Sequence, residues 1–130
     1  MTSTTSQQET TSQQELYGYL EDRFTCAQAC TECARLCALR ASVFDPDGTA
    51  ELERVRRTGI MCAEVCDATC RALTEENVQD EAGLRVQLDW CRTVCLECAQ
   101  AFDTRPGAEK SAAACRACAV ACTDFIAVLA

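Results

Sequence analysis

The chain has 130 residues, a formal net charge of −8 and a hydrophobic content of 48%, to which 13 cysteines contribute. That length suits one domain able to fold alone, and the acidic balance argues against a nucleic-acid-binding face, which needs clustered Lys and Arg. Cysteine at this density is usual in secreted disulfide scaffolds. Three features count against that class: the cysteine number is odd, the N-terminal stretch has neither a basic start nor an apolar run, and cysteines one helical turn apart lie too far from each other to bond readily. The expected compartment is the cytoplasm, where thiols stay reduced, and with no run of about 18 apolar residues no membrane partner is expected.

Residues 1–11 are rich in Ser, Thr and Gln and are expected to form a disordered polar tail. Ser12 and Glu15 have the spacing of a capping box, which predicts a helix over about 13–44 carrying Cys26, Cys30, Cys33 and Cys37. Asp45, Pro46, Asp47 and Gly48 form a strong turn signal. Thr49 is then placed to cap a second helix over about 50–73, with Cys62, Cys66 and Cys70. A short polar break at 74–77 precedes a third helix over about 78–102, with Cys91, Cys95 and Cys98. A Pro–Gly turn at 103–107 leads into the last helix over about 108–129, with Cys115, Cys118 and Cys122. Loops this short make successive helices antiparallel. Residues 12–130 are therefore predicted to be an all-α, antiparallel up-down-up-down four-helix bundle.

Within each group the cysteines are three or four residues apart, so each helix carries its thiols within an arc of roughly 80°. Four such stripes turned inward make a thiol-lined core, and free cysteine packs well enough as a small hydrophobe to support it. Soft thiolates in such numbers suit Cu(I), which tolerates low coordination, with pairs such as Cys26/Cys30, Cys33/Cys37 and Cys118/Cys122 gripping ions between turns. Zinc prefers four tetrahedral ligands, commonly with histidine, and the chain has no histidine. One Cu(I) per thiolate also leaves the core neutral, whereas Zn(II) on four thiolates leaves an uncompensated buried charge. The competing readings are a thiol-based redox or metal sensor, zinc or cadmium sequestration, an iron–sulfur site and thiols that merely fill a core. Catalysis has no support, because no histidine base, nucleophile–base pair or phosphate loop is present.

The CxxxC pairs on four helices and the stretch CRACAVAC resemble the bacterial copper storage proteins, and in particular their cytosolic branch. The resemblance covers about residues 14–130, and all thirteen cysteines fall on it. It implies a bundle lumen that binds many Cu(I) ions per chain and a homotetrameric assembly. Relatives usually carry histidines near the open end of the bundle. Here Lys110 and Ser111 lie at the start of the last helix instead. Met61 and Asp67 lie off their helix's thiol stripe, so packing and solvent exposure are the expected roles for them. One end, beyond Cys26, Cys70, Cys91 and Cys122, is expected to be plugged by Tyr19, Leu73, Leu84, Leu88, Phe125, Ile126 and Leu129. The other, beyond Cys37, Cys62, Cys98 and Cys115, has Gly59, Ala108 and Ser111 among its inward residues. It is the expected mouth, with Arg40 and Lys110 nearby.

Overall fold

Four helices account for the described residues of a computed structural model, which are 2–43, 48–75 and 81–129. They are α1 (Thr2–Ser42), α2 (Ala50–Thr74), α3 (Glu81–Asp103) and α4 (Glu109–Leu129). Each packs on the one before and after it, and α4 closes the ring on α1. The diagonal pairs make no backbone approach, so the result is a square antiparallel bundle around one central lumen.

Local chemistry sets the ends. The Thr49 side chain accepts from the Leu52 N–H at 3.3 Å, an N-cap for α2. Gly107 has φ +84°, the left-handed conformation that lets the chain turn from α3 into α4. Arg23 reaches across from α1 and donates to the carbonyls of Ala72 and Leu73, which are orphaned at the C-terminus of α2. Arg85 does the same for the Leu129 carbonyl at the end of α4. The turn signal at 45–47 and most of the break at 76–77 lie outside the described residues.

Two features differ from the sequence expectation. Helix α1 begins at Thr2, well before Ser12, so the segment expected to be a disordered tail is helical. Residues 2–11 contain no Gly or Pro to stop a helix already nucleated by the bundle. Helix α4 is also long and apolar enough to cross a membrane, with a mean hydropathy of 1.7. Much of that apolarity is Ala and Cys. Cys115, Cys118 and Cys122 are spent on the lumen wall, where they are fully buried.

The expected plug is present. The rings of Tyr19 and Phe125 pack at a tilt of 44° with centroids 5.7 Å apart, and Leu73, Leu84, Leu88 and Leu129 are buried as well. The other end is closed too, contrary to expectation. Phe102, Ala108, Val55 and Ser111 are buried. The space left by Gly59 is filled by the Phe102 ring, whose Cζ would lie 2.9 Å from a Cβ at that position. A Gly59→Val change should therefore cost about 1–2 kcal/mol, a clash against a packed ring outweighing the small gain in helix propensity. Urea denaturation measures it, and an unchanged midpoint would mean that Phe102 is not held against α2.

Candidate metal centre

Twelve of the thirteen cysteines point into the lumen, and each has 0% or 1% of its surface exposed. All thirteen are free thiols. Their sulfurs form a continuous chain of contacts along the bundle axis. Near the plugged end, Cys118 lies 3.6 Å from Cys30 and 3.9 Å from Cys91. In the middle, Cys66 lies 3.4 Å from Cys95 and 4.0 Å from Cys118. Towards the other end, Cys33 lies 3.7 Å from Cys115, and Cys37 lies 3.4 Å from Cys115 and 3.9 Å from Cys98.

Three groups of four thiols stand out, each with its sulfurs within 4.8 Å of one another: Cys30, Cys91, Cys118 and Cys122; Cys33, Cys66, Cys95 and Cys118; and Cys33, Cys37, Cys62 and Cys115. With a metal–thiolate bond of about 2.3 Å, three sulfurs around one ion sit about 4 Å apart and two in line about 4.6 Å apart. The lumen is therefore already near the spacing that two- or three-coordinate Cu(I) needs. Cys118 and Cys33 each belong to two groups, so neighbouring sites share a sulfur. The pairs expected from spacing within one helix contribute some contacts, such as Cys33/Cys37 and Cys62/Cys66, each at 3.9 Å. Each of the three groups draws on three or four helices, a grouping that linear spacing does not reveal.

Cys70 stands apart. It is only partly buried, and its sulfur lies 2.9 Å from the Thr31 hydroxyl in the seam between α1 and α2. The sequence reading makes it a ligand equal to the others; the structure places it beside the thiol chain rather than in it. The cause is helical drift. Cys62, Cys66 and Cys70 follow two successive four-residue steps, each gaining about 40°. Thr69 takes the buried position at that turn and accepts a hydrogen bond from Gln87 at 2.9 Å.

Sulfur packed on sulfur also divides the protons unevenly. Hydrogen bonds from Cys122 and then Cys30 hold the Cys26 thiol down to about 5, against the desolvation that raises it. Contact with Cys33 leads the influences that bring Cys115 to about 6. Cys30 and Cys66 are pushed up, chiefly by Cys118, and Cys98 is pushed up chiefly by Cys115.

The lumen offers almost no other donors. Among the described residues the only buried polar side chains are Thr69 and Ser111, and Ser111 donates to the Leu36 carbonyl at 3.2 Å. Met61 is exposed rather than packed within the chain, and Asp67 is exposed, as expected, and paired with Arg71 at 3.5 Å.

A helical bundle whose core is a file of reduced thiols is a protein built to hold soft metal ions. A family model described as copper storage protein (Csp) matches residues 12–127, and the chain belongs to that family. Solved structures agree. A cytosolic copper storage protein from Streptomyces lividans, studied during copper loading with five coppers, is 33% identical over 88% of this chain and 93% of that one, with a TM-score of 0.59. The same organism's Ccsp loaded with 10 copper equivalents is 34% identical over 88% of this chain and 85% of that one, with a TM-score of 0.57. A Ccsp mutant with two histidines replaced by alanine is 34% identical over 88% and 95%, with a TM-score of 0.58. That relative has histidines, whereas this chain has none. No curated protein matches the chain.

Proposed function

We propose that this chain stores Cu(I) in the cytoplasm, many ions per chain, on the thiolates of its lumen, with no catalytic role. The observation that carries the proposal is the continuous file of buried sulfurs with no buried cation or carboxylate beside it among the described residues. Such a lumen is neutral when thiolates and Cu(I) enter one for one. Four thiolates on Zn(II) would leave a charge of −2 that nothing nearby offsets, a costly state in a dry core. The proposed ligands are the twelve lumen cysteines, with Cys70 contributing least.

Anaerobic titration of the reduced chain with Cu(I) against a chromogenic chelator tests this. Because thiolates bridge ions, saturation is expected at roughly 10–20 Cu(I) per chain, with sulfur-to-copper charge transfer in the ultraviolet and little displacement by zinc. Saturation at one to four ions would instead indicate a sensor.

The family resemblance also supports a homotetramer. Consistent with association, Leu16, Tyr17 and Phe24 form an exposed apolar stripe on α1, and Val86 and Trp90 are exposed on α3. Light scattering should give a mass four times the 14.2 kDa chain, and a monomer would remove the assembly from the proposal. Nucleic acid is not a partner on this reading, given the net charge of −8.

A further inference from the structure

Among the described residues, side chains close both ends of the lumen, yet copper must cross its wall. The plugged end is several apolar side chains thick, and the opposite end is shut by Phe102 against Gly59. That second end also presents cations. Arg40 donates to the Pro106 carbonyl at 2.8 Å, and Lys110 follows Glu109 in the first turn of α4. Side chains must therefore move before an ion can pass either end.

The side wall differs. Between α1 and α4 runs a groove of about 340 Å³, walled by small residues such as Ala29, Ala117 and Ala121 and flanked by the carboxylates of Asp22 and Asp124. Cys26 contributes to its lining. It is the one lumen cysteine in that lining. Next to it stand Cys30, one turn further along α1, and Cys122 of α4, both in the first four-thiol group.

We infer that Cu(I) enters through this α1–α4 seam, with Asp22 and Asp124 drawing the cation in and Cys26 as the first sulfur it meets. The inference rests on the storage reading. Copper stays Cu(I) throughout. A copper–sulfur bond to Cys26 forms as a bond to the incoming ion's carrier ligand breaks, and the thiol proton leaves through the groove carboxylates to water. Cys30 and Cys122 then replace the remaining carrier ligands and pass the ion inward, which frees Cys26 for the next. Three alanines narrow the wall beside Cys26, while Val120, Phe125 and Val128 complete the groove lining. The exposed stripe of Leu16, Tyr17 and Phe24 lies on the opposite face of α1 by helical periodicity, so association through it leaves the groove open.

The test is stopped-flow uptake by the reduced full chain of Cu(I) supplied as its tetrakis-acetonitrile cation, followed by charge-transfer absorbance. Ala121→Leu fills the groove and should slow the initial phase about tenfold or more, with the final copper count unchanged. The Asp22→Asn/Asp124→Asn pair, a surface change that leaves the packing alone, should slow it several-fold and weaken its dependence on salt. Phe102→Ala, which opens the far end, should alter the rate by less than about twofold. Wild-type rates in Ala121→Leu and in the double variant, or faster loading in Phe102→Ala, would overturn the side port. A low final count in the unaltered chain would instead overturn the storage reading, so the two failures are distinct.

Discussion

Loading the reduced chain with copper should raise its thermal unfolding midpoint by about 20 °C or more while leaving its helical circular dichroism almost unchanged. Each site at a free ion concentration about a thousandfold above its Kd adds about 4 kcal/mol. A domain of this size gains roughly 3–5 °C per kcal/mol. Two fully occupied sites therefore suffice, and the three four-thiol groups offer more. Helicity should not rise, because nothing in the fold waits for metal. The apolar plug around Tyr19 and Phe125, the Phe102 seal and the Arg23 and Arg85 clamps on helix ends all form without it. In the empty lumen the thiols pack as small apolar groups. A reduced, metal-free chain that is largely unfolded and gains most of its helix on copper addition would show a metal-nucleated fold of the zinc-finger kind.

The second large effect separates the cysteines from one another. Cys118→Ser should lower copper capacity by about two to four ions, because its sulfur serves two of the three groups and also touches Cys66 and Cys91. Cys33→Ser should behave alike for the same reason. Cys70→Ser should remove about one ion at most, since its sulfur faces Thr31 rather than the file. Capacity is measured by copper and protein quantitation after gel filtration, with circular dichroism to verify that each variant is folded. Equal losses from Cys118→Ser and Cys70→Ser would mean that loading reorganises the lumen so far that the metal-free arrangement does not set the ligand groups.

Much of this was legible in the spacing of one residue type. Steps of three and four placed the thiols on one face of each helix, and short polar loops made neighbours antiparallel; the square bundle and its buried sulfurs follow from those two facts. The Thr49 cap and the turn at Gly107 were readable for the same local reasons. Which sulfurs meet was not readable. Cys33 touches Cys62, Cys95 and Cys115 on three other helices, and such contacts depend on the relative height and rotation of the helices. The position of Cys70 carried a signal that was passed over. The stripe on α2 is the one made of two four-residue steps, and its drift moves the last thiol toward α1. The closure of the far end was not legible, because small inward residues such as Gly59 suggest an opening there. Inward glycine on a helix equally marks the place where a neighbouring ring comes close, and here Phe102 occupies it.

The most direct measurement is a crystal structure of the chain loaded anaerobically with Cu(I), with copper located by anomalous scattering at its absorption edge. Copper should appear as a file along the bundle axis between Cys26 and Cys98, each ion within about 2.3 Å of two or three sulfurs, with shared ligation at Cys33 and Cys118. Copper held chiefly by surface carboxylates or between chains, with the twelve lumen thiols unligated, would contradict storage in the lumen.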